Sequence, residues 1–153
     1  KKFCIHFTTI KRNYLPKQGN NMALERINPP EIYKPNKDIY TQVVTATGST
    51  QIFLAGIVPF DQNQNIIGIG NMQVQVIQVL QNIKCALTSA SASIADVVRI
   101  NVLTTDVDLY IQEGAPEVIN FFDKTKPVST TYQVSRLVHP DWMVEIEATA
   151  IID

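Results

Sequence analysis

The sequence predicts an α+β fold, a mixed sheet with two helices on one face, in a single domain. Two observations carry this. Runs rich in β-branched residues recur between turn signals, and one long stretch repeats its apolar residues at the helical period. Together they give the order β-β-α-β-α-β-β. Pro29, Pro30 and Pro35 keep residues 27–38 extended or turned. Tyr40–Thr47 suits a strand, Gly48-Ser49 is a turn signal, and Gln51–Pro59 is a second, mostly apolar strand, so the pair predicts a hairpin. Residues 61–65 form a polar turn, and Gly68 and Gly70 lead into a helix.

That helix, Asn71–Ser89, places Met72, Val76, Val79, Leu80, Ile83 and Leu87 on one stripe, with Gln75, Gln78, Gln81 and Lys84 on the other face. A Ser/Ala-rich loop follows at residues 88–93. Asp96–Thr105 predicts a strand. Asp106 or Asp108 caps a second helix running to Phe122, with Pro116 either kinking it or delaying its start. Ser129–Leu137 and Met143–Ile152 are the last strands, joined by the turn His139-Pro140-Asp141. Strands 51–59 and 143–152 are apolar on both faces in places. That calls for a second covering layer, from the chain itself or from a partner.

At 153 residues the chain is long enough to bury a core without disulfides or metal. Apolar residues make up 45% and charged residues 18%, the balance of an ordinary globular protein. Cys4 and Cys85 stand far apart, and His6 and His139 are the only histidines, so neither a disulfide framework nor a metal site is expected, and no cofactor is implied. No apolar run approaches membrane-spanning length. The net charge of −1 divides unevenly. Residues 1–21 carry five basic residues and no acid, whereas the rest carries eight basic and fourteen acidic residues, a balance of −6. An acidic body is a poor partner for nucleic acid, which is bound through clustered Lys and Arg. The basic stretch 1–21 is set apart from the domain at 22–153. It reads as a targeting leader, a disordered arm, or an extension ahead of a natural start at Met22-Ala23. The domain is expected in the cytoplasm, with organelle import if the stretch is a genuine leader.

Several short patterns occur in a recognisable order. They are Ile39-Tyr40-Thr41-Gln42, Leu54-Ala55-Gly56-Ile57-Val58-Pro59, Leu80-Gln81-Asn82-Ile83, Asp96-Val97-Val98 with Thr104-Thr105-Asp106, Val134-Ser135-Arg136-Leu137, and Val144-Glu145-Ile146-Glu147-Ala148-Thr149-Ala150. In register they resemble the Rid (YjgF/YER057c/UK114) family over residues 27–153. The resemblance implies a homotrimer whose sheets pack into a central barrel, with helices outside and a small-molecule cleft at each subunit interface. It also implies hydrolysis of small enamines and imines such as 2-aminoacrylate.

In that family an arginine grips the substrate carboxylate, a glutamate on the last strand positions water, and a tyrosine lines the cleft. The resemblance carries the glutamate to Glu145 and the tyrosine to Tyr40. It places Gly56, Ser129 and Thr130 at substrate-contacting positions. The arginine is not matched: Pro127-Val128-Ser129-Thr130 puts Ser129 in its place. Ala55, Ile57 and Gly114 or Ala115 stand where the family has a serine, a glutamine and an asparagine.

Each residue also has a structural reading. One of Glu145 and Glu147 faces solvent in an ordinary strand, Ser129 is a plain strand residue, Tyr40 is a core or interface aromatic, and Gly56 allows a close backbone approach. Arg136 lies seven residues past Ser129, an odd spacing that directs it to the opposite strand face if no bulge intervenes. Three function classes follow: an imine or enamine hydrolase with altered substrate, a non-catalytic metabolite binder, and a ribonuclease or translation inhibitor, the last opposed by the acidic body.

Overall fold

The structure, a computed structural model, describes residues 23–30, 32, 35 and 40–153. The basic stretch 1–21 and Ile39 of the tyrosine motif lie outside the described residues. In chain order the elements are β1 (Ala23–Ile27), β2 (Val43–Thr47), β3 (Thr50–Ile57), α1 (Met72–Ser89), β4 (Val97–Thr104), α2 (Val107–Leu109), α3 (Ala115–Phe122), β5 (Val128–Gln133) and β6 (Val144–Ile152). The four-stranded sheet runs β3-β6-β4-β5. β6 is antiparallel to both neighbours, whereas β4 and β5, joined through α2 and α3, are parallel. The sheet is therefore mixed, as expected.

Helix α1 begins where the sequence places it. Asn71 is its N-cap, accepting a hydrogen bond from the Val74 N–H at 2.9 Å. Gly68 and Gly70 turn the chain into it with φ of 75° and 71°, values that residues with a Cβ rarely adopt. The six apolar residues of the predicted stripe are all buried. They pack on Val144, Ile146, Ala148 and Ala150 of β6 and on Ile100 and Val102 of β4, with Tyr110, Val118 and Phe122 closing the cluster.

The polar face of α1 differs from expectation. Gln75 is fully buried: its Nε2 donates to Asp141 O at 2.7 Å, and its Oε1 accepts from the Met143 N–H at 2.8 Å. Half-buried Gln78 and Asn82 donate to the carbonyls of Phe60 and Val58. A glutamine carries one donor group and one acceptor, so it can satisfy both kinds of orphan backbone group at a loop that no strand reaches.

Three further features depart from the sequence reading. Residues 23–27 form an additional strand. β2 pairs antiparallel with this strand, from Ala23↔Thr47 to Ile27↔Val43, as a separate two-stranded ribbon and not as a hairpin with β3. The reason lies at 48–49. A tight hairpin turn takes positive φ at one or both central residues, and neither Gly48 nor Ser49 has it. Gly48 instead lies against the end of β6, where a Cβ would come 2.8 Å from the Ile152 carbonyl oxygen. The second helix is capped by Asp106, which accepts from the Leu109 N–H at 2.9 Å, and Pro116 interrupts it as anticipated. The interruption is a π-helical turn over Tyr110–Gly114, after which α3 starts with the proline in its first turn. That position tolerates the missing N–H.

The Gln75 clamp gives a stability prediction. Gln75→Leu keeps the volume close but leaves the Met143 N–H and the Asp141 carbonyl without their partners. A loss of about 2–4 kcal/mol is expected, since each buried group left unpaired costs about 1–3 kcal/mol. Thermal melting should show a drop of roughly 5–15 °C, and a shift under about 2 °C would contradict the role given to the clamp.

Candidate functional site

The pleat of β6 sorts its residues by chemistry. Val144, Ile146, Ala148 and Ala150 are buried beneath α1, whereas Glu145, Glu147 and Thr149 point to the opposite, open face of the sheet. β4 matches it: Ile100, Val102 and Thr104 face the helices, and Arg99, Asn101 and Leu103 face out. Register then sets rows across the open face. Leu103 lies beside Glu145 and Tyr132, Asn101 beside Glu147 and Thr130, and Arg99 beside Thr149 and Val128. β3 adds Phe53, opposite Thr149 and 72% exposed.

At one end of this face the β3–β6 ladder slips. Leu54 pairs with Ala148 but Ile57 pairs with Ile146, so β3 carries one extra residue at Ala55–Gly56. The bulge turns Ile57 towards the core and leaves the Gly56 backbone bare beneath the Glu145 side chain. A Cβ on Gly56 would stand 1.7 Å from Glu145 Oε1 and 2.5 Å from its Cδ. The half-buried Glu145 carboxyl is thus seated on glycine backbone. Burial holds its pKa above the usual carboxylate range, and the like charge of Glu147 on the same face pushes the same way. Glu147 is itself exposed and accepts a hydrogen bond from Asn101 Nδ2 at 3.0 Å. Beside this pair lies a shallow depression of about 320 Å³, lined by Phe53, Leu54, Arg99, Asn101, Glu147, Ala148 and Thr149. It adjoins Glu145 without including it.

The five residues singled out from the sequence are distributed unequally. Gly56 and Glu145 are in contact. Thr130 shares their open face, in the row of Glu147. Ser129 is exposed on the edge strand β5 and lies beside Ile100, which directs its side chain towards the helix side. Tyr40 is half-buried three residues before β2. Arg136 is exposed beyond the end of β5. Glu145 and Glu147 prove to share one face, as residues two apart on a strand must. Sequence reasoning passed over Arg99, Asn101 and Phe53. Their signal was the alternation Arg99, Asn101, Leu103 against Ile100 and Val102, which marks a second, polar-bearing face on that strand. Among the described residues no group of three metal-ligating side chains occurs, and no helix is long and apolar enough to cross a membrane.

The chain is thus a mixed sheet backed by two helices, with a bulged β3 whose glycine lies under a glutamate of β6. The Endoribonuclease L-PSP family profile matches residues 34–152, and the chain belongs to this family, the Rid (YjgF/YER057c/UK114) family. It is 33% identical to a RutC family protein of Pyrococcus horikoshii over 111 residues, 72% of this chain and 85% of the relative. It is 31% identical over 101 residues to the 3-aminoacrylate deaminase RutC of Acinetobacter baylyi, covering 65% of this chain and 77% of that protein. Among solved structures, the Rid family protein YyfB of Yersinia pestis superposes with a TM-score of 0.78 at 27% identity, over 84% of this chain and 98% of that one.

The seat of Glu145 leads to two expectations. A folded-state pKa raised above the unfolded value means that the native protein binds the extra proton, so stability is fully present at low pH and declines as pH rises through the folded pKa. Glu145→Gln should therefore melt at higher temperature than the parent at pH 8 and at nearly the same temperature at pH 4. A variant less stable at pH 8 would contradict this. Gly56→Ala should displace the Glu145 carboxyl more than it destabilises the fold, because the clash is with a movable side chain. An NMR titration of the Glu145 carboxyl in that variant should show its pKa falling towards the ordinary value.

Proposed function

We propose that the chain forms a homotrimer with a small-molecule cleft at each subunit interface, and that it hydrolyses an imine or enamine whose carboxylate, if any, is held differently from that of 2-aminoacrylate. The observation that carries this reading is the Glu145 carboxyl seated half-buried on Gly56 with its pKa raised. A carboxyl held above its usual range keeps its acid form to higher pH than a free carboxyl, which suits a group that both gives and takes a proton. In its acid form Glu145 delivers a proton to the enamine carbon, producing an iminium. As carboxylate it then takes a proton from water as the oxygen attacks the C=N carbon. Returned to nitrogen, that proton lets ammonia leave, and the hydroxyl of the adduct gives its own proton to the Glu145 carboxylate as the carbonyl forms, which restores the acid. The balance is enamine plus water to carbonyl plus ammonia. The relative named 3-aminoacrylate deaminase supports the reaction class. Tyr40, Gly56, Ser129 and Thr130 are assigned to the cleft wall, which brings together elements of adjacent chains.

The residue at 129 favours a second reading, a cleft that binds a metabolite without turning it over. A serine hydroxyl offers one donor where a guanidinium offers a planar pair. RNA cleavage is disfavoured by the balance of −6 over residues 22–153, since phosphate contacts need positive charge.

Losing one member of a buried charge pair costs about 2–5 kcal/mol, roughly 30- to 4,000-fold in binding. Turnover of freshly generated 2-aminoacrylate, followed as ammonia release, should therefore be weak or absent. Ser129→Arg alone should restore little, because Ala55, Ile57 and Gly114 also depart from the family pattern and catalytic groups act as a unit. Turnover matching an arginine-bearing family member and lost in Glu145→Ala would overturn the altered preference. Loss of ammonia release in Glu145→Gln on a substrate found by screening imines would support hydrolysis. Light scattering should give about three times 17.1 kDa at micromolar concentration, and a stable monomer or dimer would refute the trimer.

A further inference from the structure

The second helical stretch carries a surface that the imine chemistry does not use. Residues 106–123 hold five acidic residues, Asp106, Asp108, Glu113, Glu117 and Asp123, and no basic one. Among the described residues none of the five is in an ion pair. Glu117 accepts from a neutral group, Gln73 Nε2 at 2.7 Å, so its charge stays uncompensated. Two large apolar side chains stand among these carboxylates, Ile111 at 60% and Ile119 at 36% exposed. In an uninterrupted α-helix an eight-residue step ends about 80° off its starting line. The π-helical turn over Tyr110–Gly114 advances less per residue and removes most of that offset, which brings the two isoleucines to one side. In a trimer whose sheets pack together the helices lie outside, and this face stays open. An acidic surface with apolar residues in it fits a basic segment with apolar residues of its own.

Residues 1–21 have that chemistry. They carry Lys1, Lys2, Lys11, Arg12 and Lys17 and no acid, and they space Phe3, Phe7, Ile10 and Tyr14 at i, i+4, i+7 and i+11. Five positive charges match five negative ones. The attachment point is close. Arg26 of β1 donates from Nε to the Thr125 carbonyl, three residues past the end of α3. Ala23, where β1 begins, is three residues from Arg26, about 10 Å at 3.3 Å per residue. Residues 16–22 can span up to about 25 Å, whereas Val107 to Phe122 cover about 23 Å at the helical rise. The basic stretch therefore reaches any point on α2 and α3. We propose that residues 1–21 dock on the outward face of α2 and α3, with their apolar residues on Ile111 and Ile119 and their basic residues among the five carboxylates. A short tether holds such a segment at an effective concentration on the order of millimolar, so contacts too weak to retain a free peptide suffice. The ionic part weakens with salt. The proposal does not rest on the hydrolase reading.

The test is timed trypsin digestion of the full chain, with an isotope-labelled free peptide of residues 1–21 in the same solution as internal standard. At low salt the bonds after Lys11 and Arg12 should be cut at least about fivefold more slowly in the chain than in the peptide, because cleavage follows the undocked population. In about 0.5 M NaCl, and in the double variant Ile111→Ser with Glu113→Gln, the two rates should converge. A second measurement locates the segment without altering the docking face. Cys85→Ser leaves Cys4 as the sole thiol, and a nitroxide attached there should broaden amide signals of α2 and α3 while sparing the open face of the sheet. Equal rates for chain and peptide at low salt, protection indifferent to both salt and the double variant, broadening centred on Phe53, Arg99 and Thr149, or no broadening in α2 and α3 would each overturn the proposal.

Discussion

Strand β6 is enclosed on both edges, by β3 and β4, and one whole face of it is sealed by α1. The four-stranded sheet and the helices that cover it take their places from that enclosure. A strand so placed must satisfy two environments at a period of two, and the segment Val144–Ile152 does so, with small and branched apolar residues inward and Glu145, Glu147 and Thr149 outward. A slip of one residue would drive both carboxylates into the helix interface, where unpaired charge is heavily penalised. The carboxylates therefore lock the register of the sheet as much as the apolar residues do, and the chemistry of the open face is inseparable from the packing of the core.

Much of this architecture is legible without coordinates. Helix α1 is legible because a long 3.6-residue period is a local signal that tertiary context had no reason to override. β4 and β6 were visible as runs rich in β-branched residues between turn signals. The hairpin failed because Gly48-Ser49 permits a turn without requiring one. The dihedrals that decide the matter are set by where Gly48 meets β6, a contact about a hundred residues away in sequence. β1 has only five residues, and its partner β2 begins sixteen positions after it ends. Gln75 misleads for a more general reason. Amphipathic patterns assign glutamine to water, whereas a backbone loop with two orphan groups recruits it inward.

The candidate site was legible only in part. The glycine and the glutamate were both picked out, but their contact depends on a bulge, and nothing in Leu54-Ala55-Gly56-Ile57 announces which residue is the extra one. Ser129 illustrates the opposite limit. Its position in a motif is clear from the sequence, yet which side of the sheet it serves follows from the parallel pairing of β4 and β5, a fact of topology. Arg99 shares that face with the glutamates through a second irregularity. Val97 is buried and paired with Ala150, and a slip in the β4–β6 ladder before Arg99 puts it beside Thr149 on the open side.

The seating of Glu145 on Gly56 also constrains the history of the two positions. With no room for a Cβ beneath the carboxyl in its present seat, a side chain at residue 56 is compatible with the fold but not with the glutamate where it now lies. A lineage that gains even a methyl group there keeps the glutamate and loses its seat. Fold and poise are therefore separable at this position: the sheet tolerates the exchange, and the half-buried carboxyl does not.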